Sequence, residues 1–197
     1  MYMLAPVAGH RFTGREEVYV LDIHRLGAGL ASITSDQQLS LFDPARLGAG
    51  PITSLPTAHG NIKALRPFDR ASEVYTLTHD EKLAVFNLDA GYEKGTPVAD
   101  FGDVRAELAC QYVANVTAKV DGSGAIIGVG SQDRQNFQLV HLARGSEKNS
   151  WVFDRASSVG LPGGHGEEIV RAFCFYDDEQ VVFTAGEDGY IKAWRPN

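Results

Sequence analysis

Short apolar runs of strand length, each closed by a turn signal, mark out this chain from end to end. Val18–His24, Ile62–Phe68, Tyr112–Val120, Ala125–Gly130, Phe137–Leu142 and Ile169–Tyr176 are such runs. Val181-Val182-Phe183-Thr184 follows the last of them after the turn Asp177-Asp178-Glu179. They are rich in β-branched and aromatic residues, and the links between them carry Asp-Gly, Gly-Ala-Gly and Pro. That chemistry predicts strands joined by tight turns. Asp121-Gly122 reads as a hairpin turn. No stretch of twelve residues keeps a 3.6-residue apolar period, so long helices are not expected. One helical turn is expected near Val104–Leu108. The pattern predicts an all-β chain.

The runs also recur in register. Counting back from Trp194, Asp188 lies six residues earlier, Thr184 ten and His165 twenty-nine, with Gly164 before the histidine. Counting back from Phe42 finds Asp36 and Ser32 at the same offsets, with Gly9-His10 upstream. Counting back from Phe86 finds Asp80 and Thr76, with His59 upstream. A third, degenerate unit lies between. Asp133 takes the turn position there, Val129 and Leu139 take the others, and no Gly-His precedes it. Asn149–Asp154 reads as that unit's outer strand. Repeats of this length are the signature of stacked β units.

This arrangement resembles the WD-repeat β-propeller. The resemblance implies a hydrogen-bonded relay in each blade: a His before the innermost strand, an Asp in a tight turn, a Ser or Thr on the second strand and a Trp on the third. A buried network of this kind is stable only when every member is satisfied. The structural relay expected here is His165, Thr184, Asp188 and Trp194 in the last repeat. His10, Ser32, Asp36 and Phe42 form the first set, and His59, Thr76, Asp80 and Phe86 the second. Phe in place of Trp keeps the apolar filling and loses the indole N–H.

Residues 1–197 are then one propeller or partial propeller of about four four-stranded blades. The blades fall at about 8–56, 57–102, 103–156 and 157–197. The last repeat supplies three strands, so Tyr2–Val7 is expected to add the fourth and hide an edge.

From about Glu73 onward the chain is more specifically similar to the WD repeat-containing protein eighty-nine group. Val74–Glu81, Asp103-Val104-Arg105, Gly163–Cys174, Gly186-Glu187-Asp188 and Trp194-Arg195-Pro196 carry that likeness. Residues 18–43 look like the group's first blade. The group implies about seven blades, so the middle ones have no counterpart here. Three readings stay open: a shortened product, an open half-ring completed by another chain, and a closed four-bladed ring. The resemblance also allows a nuclear or ribosome-assembly role.

Composition narrows the function classes. With 18 Lys and Arg against 25 Asp and Glu the net charge is −7, which disfavours non-specific binding to nucleic acid or an anionic membrane. Arg11, Arg15, Arg25 and Arg46 are scattered rather than clustered. Cys110 and Cys174 are the two cysteines, too few for a disulfide framework or a metal site. Cys174 sits in an apolar run and is expected to be buried. No 18-residue apolar span and no basic leader stand out, so an intracellular place in the cytoplasm or nucleus is expected. Asn115-Val116-Thr117 matches a glycosylation sequon that an intracellular strand would not use.

Candidate chemistry is sparse. His79-Asp80 has the form of a catalytic dyad, but Asp80 already holds the turn position. No His-x-x-x-His, Gly-x-Ser-x-Gly or Cys-x-x-Cys is present. Gly122-Ser123-Gly124 precedes a strand rather than a helix, against a dinucleotide loop. No catalytic residue, cofactor or metal is expected. The chain reads as a non-catalytic scaffold for a protein or peptide partner, as a monomer or completed by a second chain. Two alternatives are kept: an incomplete fragment without independent function, and a propeller-framed hydrolase using His79 and Asp80. The residues just before each turn Asp, namely Ser35, His79, Gln132 and Glu187, are the candidate partner-binding positions.

Overall fold

β-branched runs separated by Gly and Asp leave short antiparallel hairpins as the simplest way to pair every backbone group. The computed structural model describes residues 5–12, 17–57, 59–68, 72–88, 96–119, 122–132, 136–147, 150–176 and 180–196. Four antiparallel sheets result, each built from strands consecutive in sequence. The first contains β1 (Val20–Leu26), β2 (Gly29–Thr34), β3 (Gln38–Phe42) and β4 (Thr53–Pro56). The second contains β5 (Ile62–Phe68), β6 (Glu73–Thr78), β7 (Lys82–Asn87) and β8 (Ala99–Asp103). A single helical turn, α1 (Arg105–Leu108), leads into the third: β9 (Cys110–Ala118), β10 (Gly124–Ser131), β11 (Asn136–Arg144) and β12 (Trp151–Pro162). The fourth contains β13 (Val170–Tyr176), β14 (Val181–Gly186) and β15 (Ile191–Trp194).

The chain packs as two compact units, residues 1–79 with 85–98, and residues 80–84 with 99–197. In the first unit Ile33, Leu39, Leu65, Tyr75 and Leu77 are fully buried. An ionic clasp joins β1 to β5 there. The Asp22 carboxylate accepts the Leu65 N–H at 3.1 Å and the Arg66 guanidinium at 2.8 Å, with His24 3.1 Å away. Burial alone would push the Asp22 carboxyl up. The Leu65 amide and the His24 and Arg66 charges outweigh it and hold the group below the usual carboxylate range.

Replacing Asp22 with Ala leaves a half-buried amide and guanidinium without their acceptor. The expected cost is about 2 kcal/mol, or roughly 4–8 °C in Tm for a chain of this size. The folded carboxyl titrates below its ordinary value of 3.8, so its contribution is present above that pH. It disappears as pH falls through the lower folded value. Thermal melts at pH 7 and below pH 3 check this: a gap between variant and parent that stays constant would refute the assignment.

In the second unit Phe137, Leu161, Val170, Phe173 and Val182 form a core between the third and fourth sheets. Two glycines on β10 permit that packing. A Cβ on Gly128 would stand 2.5 Å from the Phe173 ring and 2.7 Å from Phe137. A Cβ on Gly130 would stand 2.0 Å from the Tyr112 ring, whose hydroxyl accepts the Val170 N–H at 2.8 Å. Strand β12 runs to Pro162, because Asp154 stabilises a bulge in it. Its carboxylate accepts the N–H groups of Ala156 and Ser157 and the Ser157 hydroxyl, and the pairing skips from His141–Asp154 to Leu139–Val159.

One expectation differs from the structure, and another falls partly outside the described residues. Cys174 is exposed, not buried: side chains alternate along β13, and Phe173 takes the core side. Cys110 is the buried thiol, and burial pushes it up to about 11. The fourth sheet has three strands among the described residues. Ala5, Pro6 and Val7 form no strand and Val7 is fully exposed, while Tyr2–Leu4 lie outside the described residues. The chain just beyond is held elsewhere, with His10 packed on Phe12 and Phe42 of the first sheet at ring separations of 5.1 and 5.2 Å.

Candidate functional site

The last repeat brings four dispersed polar side chains into one relay. A turn with left-handed Gly163, Gly164 and Gly166 delivers His165 ahead of β13. Its Nδ1 lies 2.6 Å from Asp188 Oδ1 and its Nε2 2.8 Å from Thr184 Oγ1. The Trp194 indole N–H donates to the same Thr184 oxygen at 2.9 Å. Asp188 can only accept, so Nδ1 carries a proton. With a neutral ring, the Thr184 hydroxyl donates to Nε2 and its oxygen receives the indole. Asp188 also accepts the Tyr190 N–H at 3.1 Å, and Lys192 donates to the Gly164 carbonyl at 2.6 Å. His165 and Thr184 are almost wholly buried, so these two brace the hairpin from within.

Room for that histidine comes from Gly186. A Cβ there would stand 2.5 Å from the His165 ring. The first sheet has Thr34 at the equivalent place, two residues before the turn Asp. Its hydroxyl donates to Asp36 and also reaches the Gln38 carbonyl. Thr34 therefore takes the carboxylate that a histidine would need. His10 packs at a tilt against Phe42 instead, and the Ser32 hydroxyl is buried with no hydrogen-bond partner among the described residues. Thr34 was missed because the offsets point to Ser32; a Ser or Thr two residues before the turn Asp was the available signal.

In the second sheet Thr76 is fully buried and the His59 ring meets Phe86 edge-on at 6.2 Å. Asp80 pairs with Lys82 Nζ at 2.7 Å. In the third sheet Val129 and Leu139 are buried apolar fillers, and Asp133 lies outside the described residues.

Three of the four candidate binding positions share one backbone geometry. Ser35 donates its N–H to the Tyr19 carbonyl at 2.8 Å, His79 to Asn61 at 2.9 Å and Glu187 to Ile169 at 2.9 Å. Each bond ties the end of a sheet's second strand to the residue before its first strand. The residue after each turn Asp is left-handed: Gln37, Glu81 and Gly189 have φ of 63°, 65° and 78°. Ser35, His79, Gln132 and Glu187 are all exposed. Arg171 ion-pairs with Glu187, and the Ser35 hydroxyl accepts the Tyr19 N–H at 2.9 Å. The same end of the first, second and fourth sheets therefore carries a fixed, solvent-facing loop.

The chain is 31% identical over 144 residues to an uncharacterized WD repeat-containing protein of Schizosaccharomyces pombe, covering 70% of this chain and 41% of that protein. It is 32% identical over 124 residues to an uncharacterized WD repeat-containing protein of Saccharomyces cerevisiae, covering 61% of this chain and 29% of that one. The chain thus spans less than half the length of these curated relatives. No family model matches. Among solved structures, the β-propeller domain of Cps50 (Swd1) from Myceliophteria thermophila superposes with a TM-score of 0.60 at 20% identity, covering 91% of this chain and 54% of that one. A chain of the mitotic checkpoint complex also gives 0.60, at 11% identity, covering 92% of this chain and 49% of that one.

Proposed function

We propose that this chain, a WD-repeat chain built of β-propeller blades, is a non-catalytic scaffold that presents the turn ends of its sheets to a protein or peptide partner. The observation that carries the reading is the repeated backbone bond behind Ser35, His79 and Glu187. A loop held at both ends loses little further freedom when a partner docks, so more of the contact energy survives as affinity. One solved neighbour, in the mitotic checkpoint complex, belongs to a protein assembly, which supports a protein partner here. Among the described residues no helix is long and apolar enough to cross a membrane. A place inside the cell, in the cytoplasm or nucleus, is part of the same proposal. Residues 1–197 act as one scaffold, alone or completed by a second chain, without a cofactor and without nucleic acid. The finer kinship with the WD repeat-containing protein eighty-nine group is part of this proposal and rests on the sequence matches alone. A hydrolase at His79 and Asp80 gains no support, since His79 is exposed and the Asp80 carboxylate is engaged by Lys82.

Photo-cross-linking tests the scaffold reading. A benzophenone side chain placed at His79 or Glu187 should capture the same protein reproducibly, and with the probe at Ser35 instead, alanine at His79 and Glu187 should weaken capture at least about fivefold. A probe at Ser123, in the turn joining β9 to β10, serves as the control. Equal capture from Ser123 would sink the proposal.

A further inference from the structure

The fourth sheet ends in an open edge. Strand β15 pairs with β14 through Thr184–Lys192 and Val182–Trp194, and no strand covers its other side among the described residues. The Tyr190 carbonyl accepts from the Gly186 N–H, which fixes the parity of the ladder. Tyr190, Lys192 and Trp194 therefore turn their backbone groups inward to β14. Ile191 and Ala193 turn theirs outward, to the open side.

Beside this edge lies a groove of about 720 Å³ between the third and fourth sheets, both parts of the second compact unit. Ile126, Phe175, Val182 and Trp194 form its apolar floor, and they belong to or pack against the core of that unit. The bulged outer strand β12 forms the far wall, with Val159 half exposed on it. Lys119, His141 and Arg195 stand around the floor, and no carboxylate among the described residues lines the groove. Asp154 lies close enough to His141 to feel its charge, but Ala156 and Ser157 already engage its oxygens. Lys119 and Arg195 have no ion-pair partner among the described residues. In a chain with a net charge of −7, the described lining is cationic over an apolar base.

We infer that the β15 edge and this groove together accept an extended segment of a partner protein, apolar along its middle and acidic at its ends. The segment adds as a fourth strand. The backbone groups of Ile191 and Ala193 supply the ladder, the floor takes alternate apolar side chains, and Lys119 and Arg195 select the carboxylates. This surface is separate from the turn ends proposed above and does not depend on them.

The test uses the full chain and a fluorescein-labelled peptide, Glu-Thr-Val-Thr-Val-Thr-Glu, followed by fluorescence anisotropy. A second peptide carries Lys at both ends. The glutamate peptide should bind at least about tenfold more tightly than the lysine peptide, a difference of about 1.4 kcal/mol. Lys119→Glu with Arg195→Glu should reverse that order. Ala193→Pro, which removes an outward N–H at an edge, should weaken both peptides at least about tenfold. Because that variant can disturb folding, a peptide N-methylated at alternate residues is run on the unaltered chain and should lose affinity to the same degree.

Equal binding of the two peptides would overturn the proposal, as would binding indifferent to N-methylation. No binding by a chain that melts cooperatively would overturn it too. Displacement by a peptide copying residues 1–7 at higher affinity would give the edge to the chain's own N-terminus. Self-association abolished by Ala193→Pro would give it to a second copy. Either result rejects the partner segment.

Discussion

His165→Ala is expected to cost about 3 kcal/mol, which for a chain of this size is roughly 6–12 °C in Tm. The substitution removes a buried ring and orphans groups on two sides. Asp188 loses the N–H it holds at 2.6 Å, and the Thr184 hydroxyl loses its acceptor at 2.8 Å. Trp194 keeps its bond to Thr184 but loses the partner that oriented it. The loss depends on pH. Burial would push the Asp188 carboxyl up, but the His165 hydrogen bond, the Tyr190 amide and the Lys192 charge together hold it below its ordinary value of 3.8. A carboxylate with a lowered folded pKa stabilises above its ordinary value and stops doing so as pH falls through the folded one. The gap between parent and variant should therefore be full at pH 7 and shrink below about pH 4. Denaturant unfolding at several pH values measures it. A variant as stable as the parent at pH 7 would show that the relay is dispensable.

Gly128→Val is expected to be as damaging, by the opposite physics. The new side chain begins 2.5 Å from one buried ring and 2.7 Å from another, and both rings belong to the core between the third and fourth sheets. Overpacking a closed core typically costs about 1–3 kcal/mol, and two aromatic neighbours put this site at the upper end. Gly160→Ala on β12 is the control, since nothing lies within 4 Å of its added carbon. Phe173→Leu combined with Gly128→Val should recover part of the loss, because it vacates the space the valine needs. If the double variant is simply the sum of two losses, the clash is elsewhere.

How much of this was legible from the residues varies with the range of the interaction. The strands were, because β-branched runs and Gly or Asp turns are local signals. The last relay was legible in its residue types, because one hairpin and its preceding turn set fixed offsets. What depended on a neighbouring sheet was not. Nothing near Asp22 announces Leu65 and Arg66 as partners, since they lie more than forty residues away and meet it only through packing. The side of β13 that faces the core decides that Cys174 is exposed, and an apolar run on its own does not reveal that choice. Thr34 intercepting Asp36 was overlooked for a different reason: the offsets matched a serine first, and the competing hydroxyl sits one turn position away. The bulge at Asp154 lengthened β12 beyond the spacing the repeats suggested, because a carboxylate capping three donors makes a detour that composition does not mark.

The sheet with the fewest strands holds the one relay of indole, hydroxyl, imidazole and carboxylate that the described residues complete. That pairing has a consequence for readiness. A two-hairpin sheet with a bare edge is ordinarily marginal, because the missing neighbour would have steadied it. Here the turn before β13, the middle strand and the edge strand are latched together from within. The edge keeps its shape while empty, and an arriving strand finds a finished template rather than one it must first assemble.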